Sequence, residues 1–95
     1  MRLEISRRAQ ADIKSIGTNG IKHFGSQHSE AYVNELFKIF ELLKEMPEIA
    51  RERFEIKAPV RLHPYRGHVI LYRTKKSVVR IVRVMSRFQN WADHL

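Results

Sequence analysis

Residues 60–85 read VRLHPYRGHVILYRTKKSVVRIVRVM, and their pattern sets the architecture of the chain. From Val60 onward, apolar and polar residues alternate with a period of two, which is typical of β-strands. Turn-forming residues at Arg66-Gly67 and at 74–77 divide the stretch into three segments. Because such short connections join neighbouring antiparallel strands, the stretch predicts a three-stranded antiparallel sheet.

The register of the last two strands follows from the turn between them. A two-residue loop at Lys75-Lys76 would place Tyr72 opposite Val79 and Ile70 opposite Ile81. In this register both faces of the sheet are largely apolar. A pair of helices covers only one face of a small sheet, so we expect the other face to need a protein partner.

The first half of the chain predicts a short strand followed by two helices. Arg2–Ile5 alternates like a strand, and the Ser6 hydroxyl can cap a helix N-terminus. Apolar residues then recur at helical spacing up to Phe24 and again from 33 to 46, where Pro47 ends the second helix. The short connection predicts an antiparallel helical hairpin. Two interpretations of residues 17–20 stay open: Gly17 and Gly20 either allow close approach of another backbone or break the first helix.

These patterns together predict an α+β fold. It consists of an N-terminal strand, an antiparallel helical hairpin, a three-stranded antiparallel sheet and a short C-terminal tail from Ser86 onward. Residues 48–58 show no clear periodicity and are expected to be irregular, with one helical turn around 49–54. With 95 residues, the chain is expected to form a single domain over residues 1–95.

The composition excludes several classes of function. The chain contains no cysteine, which excludes a disulfide scaffold, a thiolate zinc site and a cysteine nucleophile. No Gly-x-Gly loop is present to hold a phosphate, and we expect neither a metal nor a cofactor. No apolar run approaches the length of a membrane span and no signal peptide is recognisable, so we expect a cytoplasmic protein without membrane contact.

The net charge of +8 resides entirely in the second half of the chain. Residues 1–50 contain seven basic and seven acidic side chains, whereas residues 51–95 contain eleven and three. Nine basic residues, from Lys57 to Arg87, lie in a stretch without any carboxylate. Because pairing within the stretch cannot neutralise it, we expect an anionic partner, with direct nucleic-acid binding as a secondary possibility.

A cationic surface could also cleave a phosphodiester without a metal. Arginines stabilise the charge that develops on the phosphate, while a histidine or a tyrosine moves the proton. An enzyme hypothesis would use Arg61, His63, Arg80 and Arg83, with Tyr65 as a further proton carrier. The sequence does not establish the geometry of these residues relative to one another, so no catalytic residue is assigned.

Two runs, GHVILYR at 67–73 and VRIVRVM at 79–85, resemble the ParE/RelE superfamily, the toxins of type II toxin–antitoxin systems. The similarity extends to LEIS at 3–6, to Asp12 and its neighbours, and to FELLKEMP at 40–47. It is closest to the ParE branch and covers nearly the whole chain. The resemblance implies the same α+β fold and a ParD-like antitoxin that forms a hetero-oligomer with the toxin.

The resemblance also implies two alternative targets. ParE-like toxins poison DNA gyrase, whereas RelE-like toxins cut messenger RNA in the ribosome. RelE-like toxins carry a tyrosine or histidine near the end of the last strand, where this chain has Ser86 and Phe88. Neither of these side chains transfers a proton near pH 7, which favours a binding inhibitor over a ribosome-dependent nuclease.

Two sets of contact residues follow from this interpretation. Phe88 and Trp91 are expected to anchor the target, because aromatic side chains beside arginine are effective binding hot spots. The predicted target contacts are Arg83, Arg87, Phe88, Gln89, Asn90 and Trp91. The predicted antitoxin contacts are Arg61, His68, Ile70, Tyr72, Val79 and Ile81.

Overall fold

The computed structural model describes residues 1–56 and 58–95 and confirms the α+β fold. The strands and helices are β1 (Arg2–Ile5), α1 (Arg7–Phe24), α2 (Ser26–Glu45), β2 (Glu52–Arg53), β3 (Val60–Tyr65), β4 (His68–Lys75) and β5 (Val78–Ser86). Short 3₁₀ turns lie at Pro47–Ile49 and Trp91–His94. No helix in the described ranges is long and apolar enough to cross a membrane.

The sheet has five strands in the order β1-β5-β4-β3-β2, two more than the antiparallel set predicted from 60–85. The N-terminal strand β1 pairs with β5 in parallel, and the remaining pairs are antiparallel. Strand β2 lies within the segment expected to be irregular. Its two residues are too few for an alternating pattern, and it forms only because β3 offers an edge for pairing.

The first helix is unbroken through its two glycines, which settles the alternative left open at 17–20. The Ser29 side chain is buried and its hydroxyl donates to the Gly17 carbonyl oxygen at 2.7 Å. A β-carbon on Gly20 would lie 2.7 Å from the Ser29 oxygen and 3.0 Å from its β-carbon. Glycine is therefore present at position 20 because α2 crosses α1 there at close range.

The helical hairpin covers one face of the sheet, here called the helix face. Large apolar side chains from both helices and from three strands meet there without access to solvent. Its buried members are Ala9, Ile13, Leu36, Phe40, Leu43, Tyr65, Ile70, Tyr72, Val79, Ile81 and Val84. Burial of this apolar surface is the main stabilising contribution to a domain of this size.

The opposite face is covered by the chain itself at one end, so the expectation that a partner must cover this face is wrong at that end. Val60, Leu71 and Met85 are buried there, each with at most 2% of its surface exposed. Trp91 and Leu95 of the C-terminal tail pack against them, together with other partly buried side chains. The sequence did not reveal this cover, because the tail is too short to show a periodic apolar pattern.

The β4–β5 turn lies at Lys76-Ser77, one residue later than predicted, because Lys75 pairs with Val78. Lys76 adopts a positive φ of 54°. Lysine is not among the residues that favour this conformation, so the sequence carried no signal for it. The predicted pairs Tyr72–Val79 and Ile70–Ile81 are therefore wrong, and the observed pairs are Tyr72–Ile81 and Ile70–Val84.

A β-bulge interrupts β5. Ile81 and Arg83 pair with adjacent residues of β4, so Val82 is an extra residue in its strand. The bulge allows both Ile81 and Val84, three positions apart, to point toward the helix face. It also removes the groups around Val82 from the regular hydrogen-bond ladder.

Two side chains of the N-terminal segment bond to backbone groups of β5 at the bulge and just beyond it. The Ser6 hydroxyl donates to the Val82 carbonyl oxygen at 2.7 Å and accepts from the Ala9 N–H at 3.0 Å, which also confirms Ser6 as the helix cap. The Asp12 carboxylate accepts from the Val84 N–H at 3.0 Å. We call these contacts the bulge clamp, since they tie α1 to β5.

Asp12 also binds Arg83 through two parallel hydrogen bonds, at 2.7 Å to Nε and 2.9 Å to a terminal nitrogen. Both side chains are only 15% exposed. The pair holds the pKa of Arg83 above its usual value, since the carboxylate stabilises the charged guanidinium. A buried pair of this geometry tolerates the loss of either partner poorly.

The basic stretch is neutralised in part by contacts between elements. Within the described residues, four of its cations pair with carboxylates that precede residue 56: Arg61 with Glu52, Arg66 with Glu35, Arg80 with Glu4, and Arg83 with Asp12. Lys57 lies outside the described residues. The stretch is thus not neutralised by its own residues, as expected, but in the folded chain carboxylates from other elements neutralise part of it.

We expect Gly20→Ala to destabilise the protein by about 1–3 kcal/mol, because the added methyl group pushes α2 away from α1. Gly17→Ala is the matched control, since its β-carbon would meet only Val33 at 3.8 Å. This control should gain up to about 1 kcal/mol from helix propensity. Urea unfolding measures both values, and equal changes in the two variants would contradict the close approach at Gly20.

We expect Asp12→Ala to lower the free energy of unfolding by about 2–4 kcal/mol, because it leaves Arg83 and the Val84 N–H without their acceptor. Glu35→Ala removes an exposed ion pair to Arg66 and should change stability by less than about 1 kcal/mol. Chemical denaturation of both variants compares these effects. A loss in the Glu35 variant as large as in the Asp12 variant would refute the proposed importance of the clamp.

Candidate functional site

Residues 86–90 form a compact loop directly after β5, which we call the tail loop. The Gln89 side-chain oxygen accepts from the Ser86 N–H at 3.2 Å, and the Gln89 N–H donates to the Ser86 carbonyl oxygen at 3.1 Å. The Arg87 N–H donates to the Gly67 carbonyl oxygen in the β3–β4 turn at 3.1 Å. These hydrogen bonds fix the start of the loop to the sheet.

The chain after the tail loop is anchored as well. The His94 carbonyl oxygen accepts hydrogen bonds from Arg8 and from Arg83, each at 2.9 Å. Trp91 packs onto the opposite face of the sheet, and the Arg53 guanidinium lies 5.8 Å from its ring centre. The tail loop is therefore held at both ends.

Phe88 projects from this anchored loop into solvent and is 89% exposed. The Arg87 guanidinium lies 5.7 Å from its ring centre, a cation–π arrangement. An exposed aromatic side chain on an ordered loop loses little conformational entropy when it binds, so it suits a contact with another protein.

The structure brings four of the six predicted target contacts together and separates two. Arg87, Phe88, Gln89 and Asn90 are all exposed on the tail loop. Arg83 is engaged by Asp12 and by the His94 carbonyl, and Trp91 is packed against the sheet. These two side chains position the loop, and neither projects beside Phe88.

A groove of about 630 Å³ runs beside the tail loop, between the helical hairpin and the ends of β4 and β5. Ile16 and Phe24 contribute apolar surface to it, and Gln89 connects it to the loop. Phe24 is 70% exposed at the end of α1. Helical spacing predicted Phe24 as the last member of the apolar stripe of α1, but spacing does not show where the hairpin extends beyond the sheet.

Hydrogen bonds link Tyr32, Tyr65 and His68 beside the groove. The Tyr32 hydroxyl lies 2.7 Å from His68 Nδ1, and the Tyr65 hydroxyl donates to the Tyr32 carbonyl oxygen at 2.6 Å. Burial lowers the pKa of His68, an effect that the Asp12 carboxylate partly opposes. Burial also raises the pKa of Tyr32, so both side chains are neutral near pH 7.

The four residues of the enzyme hypothesis do not converge. Arg61 and His63 lie opposite Tyr72 and Ile70, which places them on the helix face. Arg61 donates to the Ala50 carbonyl oxygen and pairs with Glu52.

The other two residues of that hypothesis lie elsewhere. Arg80 adjoins the buried Ile81 in its strand and therefore points to the opposite face of the sheet. Arg83 is bound to Asp12. The set thus shares no site, and Tyr65 is engaged with α2.

Four of the six predicted antitoxin contacts lie inside the core. Ile70, Tyr72, Val79 and Ile81 are 0% exposed beneath the helices, so their assignment to an exposed surface is wrong. The cause is physical: alternation shows that a strand has two apolar faces but does not show which face the helices cover. Arg61 is largely engaged with the 50–52 segment, and only His68 borders the groove.

Comparisons with known proteins identify the family and the fold. The chain is 31% identical over 91 residues to Toxin ParE1 of Caulobacter vibrioides, which covers 96% of this chain and 94% of that protein. It shares its fold with a structure described as the chromosomal ParDE TA system from P. aeruginosa, with a TM-score of 0.79 and 20% identity over 90% of this chain and 95% of the other. The model of the family described as the ParE toxin of the type II toxin–antitoxin system, parDE, matches residues 3–91. The chain therefore belongs to the ParE family and is the toxin component of a type II toxin–antitoxin system.

Proposed function

We propose that this toxin inhibits DNA gyrase by binding to it through the tail loop. The observation that carries the proposal is the exposure of Phe88 on a loop whose two ends are anchored. Arg87 and Asn90 flank this aromatic side chain, so the loop combines an apolar anchor with polar neighbours. This composition resembles that of binding hot spots in protein interfaces.

Inhibition by binding fits the site better than RNA cleavage, the alternative activity. Phosphodiester cleavage needs a proton-transferring group within reach of the arginines that stabilise the phosphate. His63 lies on the helix face while Arg80 lies on the other side of the sheet. On the tail loop, Ser86 and Phe88 offer no group that titrates near neutral pH.

A toxin of this family acts together with a cognate antitoxin. We propose that the antitoxin docks in the groove beside the tail loop. Ile16 and Phe24 provide apolar surface for an anchor side chain, and the net charge of +8 favours an acidic segment. Because Gln89 belongs to both the groove and the tail loop, an antitoxin bound there would also obstruct access to Phe88.

Phe88→Ala should raise the concentration needed for half-maximal inhibition of gyrase supercoiling by about tenfold or more, the usual effect of removing a hot-spot side chain. Its control is Phe37→Ala, which removes a 41% exposed phenylalanine from α2 and should leave inhibition within about twofold. The measurement is supercoiling by purified gyrase over a titration of toxin. Lack of inhibition by the natural protein, or equal inhibition by both variants, would refute the proposal.

For the groove, Phe24→Ala is expected to weaken binding of the purified cognate antitoxin by about tenfold, because it removes the most exposed apolar side chain of the groove. Phe54→Ala is the matched control, since Phe54 is also 70% exposed but does not line the groove. Isothermal titration calorimetry gives both dissociation constants. If the two variants bind equally well, the antitoxin does not use this groove.

A further inference from the structure

The β4–β5 hairpin carries a dense cluster of cations on the face of the sheet opposite the helices, at the end that the tail does not cover. Arg73 and Arg80 lie directly opposite each other, and Lys75 lies opposite Val78. Lys75 precedes the turn and shares the face of Arg73, because side chains two positions apart in a strand point the same way. Lys76 occupies the turn itself.

The neighbouring strand β1 extends this cluster. Arg2 lies beside Val78 and Glu4 lies beside Arg80, so both side chains share the same face. Glu4 accepts from Arg2 at 3.0 Å and from Arg80 at 3.2 Å. Among the described residues, it is the one carboxylate that borders the depression between these strands. We call this set of five cations and one carboxylate the hairpin patch.

The hairpin patch departs from the usual rule for facing strands. Two like charges directly opposite each other are unfavourable, and sheets normally place opposite charges or apolar pairs there. Arg73 is also fixed in place, because it donates to the carbonyl oxygens of Ala58 and Pro59, each at 3.2 Å. Arg80 is paired with Glu4, so each arginine has a partner of its own while both guanidinium groups stay on one face of the hairpin.

We propose that the hairpin patch binds the phosphate backbone of duplex DNA. The strand cations lie on one face of the sheet, where side chains two positions apart are spaced by about 7 Å along each strand. Such an array can contact several phosphates at once and needs no base-specific geometry. Lys75 and Lys76 are exposed at the turn, and Arg2 and Arg80 are exposed while they share Glu4.

The composition of the hairpin patch favours DNA over the two other kinds of anionic partner. An acidic protein segment would need a large apolar anchor, whereas Val78 is the one aliphatic residue among the described residues that line the depression. Single-stranded nucleic acid is bound by stacking of bases on aromatic rings, and the depression has no aromatic side chain among its described residues. The choice of DNA over duplex RNA rests on the proposed function, because gyrase acts on DNA.

The hairpin patch is distinct from the tail loop. Its cations lie at the β4–β5 turn, whereas the tail loop follows the far end of β5, the length of the strand away. A toxin with two such surfaces would contact gyrase through Phe88 and the bound DNA through the hairpin patch.

The test measures fluorescence anisotropy of a labelled DNA duplex with the full chain over about 50–200 mM salt. We expect Lys75→Gln/Lys76→Gln to weaken binding several-fold and to reduce the slope of log affinity against log salt by about 2, since two phosphate contacts are lost. The control Lys14→Gln/Lys38→Gln removes the same charge from exposed positions on the helices and should leave the slope unchanged. Glu4→Gln should tighten binding, because it removes the carboxylate from the hairpin patch.

Several results would overturn the proposal. Equal weakening by the two lysine double variants would show that only net charge matters, and a salt-independent affinity would exclude phosphate contacts. Tighter binding of duplex RNA than of DNA, or of a polyglutamate peptide of equal charge, would assign the hairpin patch to a different partner. Since the assay contains no gyrase, the result stands whether or not Phe88→Ala affects supercoiling.

Discussion

At the bulge in β5, side-chain hydrogen bonds link the helical hairpin to the sheet. An extra residue in a strand removes backbone groups from the ladder, and such groups are costly to leave unpaired in a core. Ser6 and Asp12 supply the missing partners. Both side chains stand at the start of α1, so the same hydrogen bonds that satisfy β5 also set the position of the helix. Apolar burial then makes the arrangement stable, because a one-residue slip would move buried side chains such as Tyr72 and Ile81 out of the core.

The clamp has consequences for the functional end of the molecule. Because Asp12 holds Arg83, the remaining donors of that guanidinium reach the His94 carbonyl oxygen and fix the last turn of the chain. Trp91 then packs on the sheet, which leaves Phe88 at the apex of a closed loop. Arg83, which the sequence predicted as a target contact, instead helps to hold the loop from which Phe88 projects.

The folded chain also sorts its charges. Ion pairs between distant elements occupy several arginines of the basic half, including Arg61, Arg66 and Arg83. The strongest remaining concentration of cations lies at the β4–β5 hairpin, where Glu4 is the one opposing carboxylate in the described part of the depression. Four of the five cations of the hairpin patch are already close in sequence, within residues 73–80, and the pairing of β1 with β5 adds Arg2 and Glu4 beside them.

Local patterns were sufficient for the fold class, the Ser6 cap, the end of α2 before Pro47 and the ParE resemblance. Each of these rests on interactions between near neighbours in sequence, or on short motifs that can be read directly. The pairing of β5 with β1, the bulge at Val82, the cover over Leu71 and the burial of Tyr72 could not be read in the same way. They depend on contacts between residues far apart in the chain. A strand with apolar side chains on both faces has the same sequence pattern whichever face the helices cover. The residue types of the candidate site were therefore visible in the sequence, whereas their exposure and their partners arose only from packing in three dimensions.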